Sequence, residues 1–257
     1  MIKTVSISDV GRVRSVNEDS TWVGNLENGY TLAIVADGMG GHQAGDTASR
    51  LTVETIVQQL SSLPPGLSSD DCGEKLKEAI LRSNQIVFKE ASEHEEFRSM
   101  GTTVVAVLIG EREGMIGHIG DSRVYKFSKG TMVQLTDDHS LVNELLKNKQ
   151  ISQQEANVHP HRNVVTRALG TDPEVVVDMY PVTLEIGDIL LLCSDGLSNY
   201  VTLEQMTHTL GSDALTLNDR ADRMLQYALN AGGDDNISVV LLEDCEEAGL
   251  SAKEWNS

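Results

Sequence analysis

Apolar positions along this 257-residue chain fall into two periods. Short stretches rich in Val, Ile, Leu and Thr, punctuated by turn residues, read as β-strands over 4–7, 20–23, 31–35, 102–109, 115–119, 122–127, 175–180, 189–193 and 237–242. Asn28-Gly29 and Lys129-Gly130 are hairpin-type turns between consecutive strands, which predicts sheets that are antiparallel at least in part. Other segments carry helical spacing. Over 44–60, Ala48, Leu51, Thr55 and Leu60 leave one face apolar, and over 74–95 the residues Leu76, Ile80, Asn84 and Val87 recur at a period near 3.6. Two more helices are expected late, over 202–210, with Thr202 as N-cap and Gln205 at the capping-box position, and over 215–230. Strands in runs, with one helix pair early and one late, predict paired sheets with helices outside rather than a regular βαβ array.

Between the first two helices, 63–71 is a Pro-Pro-Gly linker and not a domain boundary, because the apolar pattern resumes on both sides. The segment 137–173 is long, polar and rich in His and Asn, with a short helical stretch near 141–146. A segment of that kind in a compact domain reads as a functional flap. His139, His159 and His161 lie in it and are expected to be surface or substrate-contact residues. One domain over 1–243 is expected, followed by an acidic, frayed tail over 244–257.

Composition narrows the class. Hydrophobic residues make up 40% and charged residues 23%, a globular balance, and only 4% are aromatic, so the core must rest on aliphatic side chains. No apolar run approaches the roughly 18 residues of a membrane helix, and the first residues alternate like a strand without a signal-peptide core. A cytoplasmic protein is expected, a monomer by default for want of a coiled-coil pattern. The cysteines Cys72, Cys193 and Cys245 lack CxxC or CxxH spacing, which argues against a disulfide framework and a structural zinc site. A net charge of −19 disfavours nucleic acid and anionic membranes as partners and is compatible with cations.

Two Asp-Gly pairs close buried strand-like runs: Val35-Ala36-Asp37-Gly38-Met39 and Cys193-Ser194-Asp195-Gly196-Leu197. An isolated Asp-Gly is usually a tight turn. A buried strand that ends in a carboxylate and turns on glycine also presents a hard oxygen ligand. Asp37, Asp195 and Asp235, the last from Asp234-Asp235-Asn236, fit one Mg²⁺ or Mn²⁺ site, and Gly38 could add a backbone carbonyl. The run Gly38-Met39-Gly40-Gly41-His42 matches neither GxGxxG nor GxxxxGK[ST], so a nucleotide loop is disfavoured. Arg14 precedes Glu18 and Asp19 closely. An arginine fork can hold phosphate while acids hold metal, although alone this is a surface charge cluster. Gly120-Asp121-Ser122-Arg123 puts another acid at a strand end.

Taken in order, Arg14-Ser15-Val16-Asn17-Glu18-Asp19, Val35-Ala36-Asp37-Gly38-Met39-Gly40-Gly41, Gly101-Thr102-Thr103, Gly120-Asp121-Ser122-Arg123, Leu135-Thr136-Asp137-Asp138-His139-Ser140, Ala168-Leu169-Gly170, Ser194-Asp195-Gly196-Leu197 and Asp234-Asp235-Asn236-Ile237-Ser238 resemble the metal-dependent protein phosphatase family, the type 2C serine/threonine phosphatases, in its bacterial form. The resemblance spans roughly 1–243. It implies an α+β fold, an α-β-β-α sandwich of two mainly antiparallel sheets flanked by helix pairs. It implies two core Mn²⁺ or Mg²⁺ ions and a third. Asp37 would bridge the core pair, and Gly38 would give its carbonyl to the second ion. Asp195 and Asp235 would complete the first ion, and Asp121 with Asp195 would hold the third. Glu18 and Asp19 would bind metal-coordinated water or support the second ion's shell, and Arg14 would bind the phosphate.

The implied reaction is hydrolysis of phosphoserine and phosphothreonine in proteins, by in-line attack of a water bridging the metals. Phosphorylated proteins are then the substrates, and a serine/threonine kinase the functional counterpart. Animal relatives carry a histidine directly after the first Asp-Gly as a proposed general acid. Here Met39 holds that place and His42 follows three residues on. The proton donor is therefore His42, a metal-bound water, or no side chain. Rival readings are a catalytically silent phosphoprotein-binding regulator of the same fold, a phosphatase of a sigma-factor regulator or of small phosphate esters, and a cation-binding structural protein.

Overall fold

The computed structural model describes residues 1–41 and 43–246, leaving aside the side chains of Gln43 and Asn157. Two sheets, antiparallel throughout, lie face to face. One runs, in spatial order, β1 (Ile2–Asp9), β11 (Ile237–Asp244), β10 (Ile189–Cys193), β7 (Arg123–Ser128) and β8 (Thr131–Gln134). The other runs β2 (Asp19–Asn25), β3 (Tyr30–Met39), β5 (Val104–Gly110), β6 (Glu113–Ile119) and β9 (Asp178–Thr183), with β4 (Gly101–Thr102) against the end of β3. Helices α1 (Gln43–Ser61) and α2 (Ser69–Glu93) cover the outside of the second sheet, and α6 (Leu203–Leu210) and α7 (Leu217–Asn230) that of the first. This is the pairing of sheets with helices outside expected from the strand and helix runs, and the α-β-β-α sandwich that the resemblance implies.

Alternation along the central strands builds three apolar layers. In β3, Leu32, Ile34 and Ala36 point to the helix layer, whereas Ala33 and Val35 point between the sheets. In β5, Val104, Ala106 and Leu108 face the helices and Val105, Val107 and Ile109 the other sheet. β10 and β11 repeat this: Ile189, Leu191, Val239 and Leu241 pack under α6 and α7, and Leu190, Leu192, Val240 and Leu242 fill the middle. Each Val, Leu or Ile among these contributes about 1.5–3 kcal/mol by leaving water. A one-residue slip would exchange the two faces, so the register is strongly specified.

Several elements depart from the sequence reading. α2 starts at Ser69, not 74, because Ser68 caps it by accepting from the Asp71 backbone N–H. β8 completes the hairpin that Lys129-Gly130 predicts, although the apolar pattern marks no strand there: it is an edge strand with Met132 alone buried. β9 is shifted to 178–183 and accommodates Pro181 as an edge strand can. The flap region contains α3 (Leu141–Lys147), as expected, and also α4 (Gln153–Asn157), and its ends are closed by the bridges Ser140↔Val165 and Thr102↔Leu169. β11 runs through Asp244, whose buried carboxylate accepts from Arg112 Nε at 2.7 Å, and the Cys245 N–H donates to the Met1 carbonyl at 2.9 Å. The remainder of the expected tail, 247–257, lies outside the described residues.

Candidate active site

One end of the sandwich gathers the start of β2, the end of β3, the β6–β7 turn, the end of β10 and the start of β11. Asp19 and Asp37 are paired across β2 and β3. The main chain at Asp37 is held on both sides: its N–H donates to Thr103 Oγ1 (3.0 Å), and its carbonyl accepts from Thr103 N (2.9 Å) and Thr102 Oγ1 (2.9 Å). Gly38 N–H donates to the Glu18 carbonyl at 3.1 Å. A Cβ at Gly38 would drive into the Gly45 and Glu18 carbonyl oxygens, so no other residue fits this crossing.

Asp195 opens the four-residue helix α5 (Asp195–Ser198), and Asn199 Nδ2 donates to its Oδ2 at 3.1 Å. Asp235 accepts from Arg14 Nη2 on Oδ2 (2.8 Å) and from the Asn236 N–H on Oδ1 (2.9 Å). Asn236, buried, pins the N-terminal segment: its Oδ1 accepts from Glu18 N (2.8 Å), and its Nδ2 donates to the carbonyls of Val10 (2.9 Å) and Val16 (3.0 Å). Asp121, also buried, follows Gly120, whose φ of +109° makes the turn after β6.

Arg14, Glu18, Asp37, Gly38, Asp121, Asp195 and Asp235 line one cavity of about 270 Å³. Asp19 lies behind it. The Ser194 and Ser238 hydroxyls both donate to Asp19 Oδ2 at 2.7 Å, while its buried Oδ1 has no hydrogen-bond partner. A second cavity of about 700 Å³ adjoins the first, sharing Asp121 and Asp195 and extending under the flap past Arg123, Asp138, Asn143 and Arg162. His42 lies outside the described residues, while Met39 lines the smaller cavity.

Crowding sets the electrostatics. The Asp37 carboxyl is pushed well above the usual carboxylate range, by burial first and then by Asp19, Asp195, Asp121 and Asp235. Burial raises Asp19 to about 7 against the relief of its two hydroxyl donors, with Asp195 and Asp235 adding repulsion. Asp121 rises to about 8 through burial and then Asp195 and Asp138, and Asp195 to about 6 through burial and then Asp235. No three acid, His or Cys side chains among the described residues close on one point as a finished ion cage. The acids are ranged around a cleft, with Arg14 occupying one carboxylate. An all-oxygen donor set, mutual repulsion and the orphaned Asp19 Oδ1 are nevertheless what a divalent cation relieves, so the residues fit a hard ion.

Sequence reasoning brought the acids and Arg14 together but gave no role to Thr102, Thr103, Ser194, Ser238 and Asn236, which stand in the same motifs and form the cradle of the acids. The available signal was polar residues inside or flanking otherwise apolar strands. His139 departs from expectation too: it is buried at the flap's root, not on the surface, whereas His161 is exposed. Cys193 is fully buried in β10 and its thiol is pushed up to about 12 by that burial, which removes it as a nucleophile.

No helix among the described residues is long and apolar enough to cross a membrane. The family profile of protein phosphatase 2C matches residues 11–241. The serine/threonine phosphatase Stp of Listeria monocytogenes is 39% identical over 246 residues, 95% of this chain and 97% of that protein. The crystal structure of the Mycobacterium tuberculosis serine/threonine phosphatase PstP superposes with a TM-score of 0.86 at 34% identity, covering 95% of this chain and 99% of that one. A PstP catalytic domain in complex with two manganese ions superposes at 0.83 with 33% identity, covering 94% and 97%. With that agreement of sequence across both sheets and of fold across nearly the whole length, the chain belongs to the protein phosphatase 2C family of metal-dependent serine/threonine phosphatases.

Proposed function

We propose that this phosphatase hydrolyses phosphoserine and phosphothreonine esters of proteins in the acidic cleft, with Mn²⁺ or Mg²⁺ held there. The observation that carries the proposal is the crowding of Asp37, Asp121, Asp195 and Asp235 around one cavity with Arg14 beside them. Asp37 and the Gly38 carbonyl would serve two ions. Asp195 and Asp235 would complete the first, Asp121 with Asp195 would support a third, and Glu18 and Asp19 would back the second. When bound, such ions lower the pKa of the water they share toward neutrality and draw charge from phosphoryl oxygens.

The chain's own residues do the rest. Thr102, Thr103 and the Gly38–Glu18 bond fix the Asp37 main chain, so that its carboxylate needs no reorganisation when charge develops. Arg14 commits one Nη2–H to Asp235, which leaves further N–H groups of its planar fork to grip phosphoryl oxygens. The larger cavity under the flap has room for the chain flanking the phosphorylated residue. A serine/threonine kinase that writes the same marks is the natural counterpart.

The test is hydrolysis of p-nitrophenyl phosphate and a phosphothreonine peptide, with and without Mn²⁺, by wild type and Asp37→Ala. Metal-dependent turnover by wild type and a loss of roughly 10²-fold or more in the variant are expected. Equal, metal-independent rates in both proteins would sink the mechanism. Turnover of the small ester with no action on the peptide would reassign the substrate.

A further inference from the structure

His139 stands at the flap's N-terminal root and lines neither cavity. It is 8% exposed and engaged on every polar atom. Its N–H donates to the Gly120 carbonyl (2.7 Å), and its carbonyl accepts from Thr166 N (2.8 Å), in the flap's other root. The Gly120 N–H donates to His139 Nδ1 at 3.0 Å. That contact sets the tautomer, because Nδ1 must be bare to accept and the ring proton therefore sits on Nε2. Nε2–H faces Asp178 Oδ2 at 3.0 Å, and Asp178 is in turn held by Arg167 Nη1 on Oδ1 at 2.7 Å. The His118 ring stacks on the imidazole with centroids 4.7 Å apart and planes 28° from parallel. The ring is thus locked in its plane and by both nitrogens.

On its far side the Gly120 turn meets Thr103. A Cβ on Gly120 would collide with the Thr103 side chain, and Thr103 Oγ1 pairs with Ser122 Oγ at 2.7 Å while accepting from Asp37 N. Residues 120–122 are therefore clamped between His139 and Thr103, with Asp121 in the middle.

We propose that His139 is a positioning residue: its Nδ1, oriented by Asp178, holds the turn that carries Asp121, so that the root of the flap and ion binding by Asp121 are one mechanical unit. The proposal rests on the reading of Asp121 as an ion-supporting acid. Groups one shell out from a metal ligand fix its orientation and commonly change affinity by about 10–100-fold. A buried Gly120 N–H deprived of its acceptor has reason to move, because an unmet buried donor is costly.

Two isosteric changes separate positioning from mere packing. His139→Asn puts an amide oxygen where Nδ1 stands and keeps an acceptor for Gly120. His139→Gln puts an amide N–H where Nε2 stands, keeps the bond to Asp178, and leaves Gly120 without an acceptor. Wild type, both variants and Asp121→Ala are titrated with Mn²⁺ by calorimetry, and their melting is compared in EDTA. Expected is an Asn variant within about threefold of wild type, and a Gln variant that loses the weakest Mn²⁺ step by about tenfold, as Asp121→Ala does, at a melting temperature like that of the Asn variant. Should His139→Gln not fold, His139→Ala removes both bonds without added bulk, and the same loss is expected. Deuterium exchange at the Gly120 amide, faster in whichever variant loses the Mn²⁺ step, gives a readout independent of metal. If Asp121→Ala weakens Mn²⁺ and His139→Gln does not, or if Asn and Gln variants lose affinity equally, the coupling is overturned. If Asp121→Ala titrates like wild type, the ion reading of Asp121 falls and takes this proposal with it.

Discussion

Stripping divalent ions from the protein and raising the pH from 6.5 to 8 is expected to lower its thermal stability. In the folded chain the Asp19 carboxyl titrates near 7 and Asp121 near 8, and Asp37 lies well above the usual range, each driven first by burial. In the unfolded chain such acids titrate near 3.9. The folded values are raised, so the stability these groups bring is complete below the unfolded pKa and is lost as pH rises through the folded ones. Every proton held by the cleft and absent from the unfolded chain removes about 1.4 kcal/mol per pH unit. With one such proton as a floor, a rise of 1.5 pH units costs about 2 kcal/mol, which for a domain of this size is roughly 4–8 °C of melting temperature.

The histidines work the other way. His118 is pushed down to about 3 and His139 below its ordinary value, both by burial first, so their contribution grows with pH. It is still growing at the unfolded histidine value near 6.5: from there to pH 8 the two together return at most about 0.8 kcal/mol, less than the roughly 2 kcal/mol the carboxylates remove, so a net fall remains. Melting curves in EDTA and in saturating Mn²⁺ are the assay, and the ion should flatten the pH dependence by replacing protons in the cleft. A melting temperature that stays level or climbs from pH 6.5 to 8 in EDTA, or falls equally with Mn²⁺, would refute the reasoning.

Arg14→Ala should lower kcat/KM on a phosphopeptide by about 10²-fold while moving stability by less than about 1 kcal/mol, since its ion pair with Asp235 is half exposed at the arginine. Steady-state kinetics beside a urea melt reads both. Gly196→Ala should destabilise by roughly 1–3 kcal/mol or more and weaken metal-dependent activity, because its Cβ would run into the Asn236 carbonyl oxygen. A variant with the wild-type urea midpoint would count against that packing. Asn236→Ala strands a Glu18 N–H and two carbonyls, and about 3 kcal/mol or more of lost stability is expected by urea unfolding.

How far the fold was legible follows from burial. β3, β5, β10 and β11 are buried on both faces, and such short apolar runs rich in Val, Ile and Leu and bounded by turn residues read as strands. β8 buries one residue in four and carries no comparable signal. Pro181 masks β9, and α5, four residues long directly after a strand, is too short to express a period. The early start of α2 was readable in principle, since Ser68 Oγ and Asp71 form a reciprocal pair at 2.7 and 3.1 Å across the usual cap spacing.

At the site, acids ending apolar runs stood out because a carboxylate at a buried strand end needs a compensating charge. Their hydroxyl cradle did not stand out, because Ser and Thr are unremarkable in any local window and acquire their role only when β11 brings Ser238 beside Asp19. His139 makes the same argument more sharply. A histidine in a polar segment is exposed by default. That default is overturned here by Gly120 and Asp178, which lie 19 and 39 residues away and supply a donor to one nitrogen and an acceptor to the other. Neither partner is visible from the flap's own sequence, and either alone would leave one ring nitrogen buried and unmet. Only the pair makes burial of the imidazole affordable, so the residue that joins flap to cleft is the one that local pattern assigns to solvent.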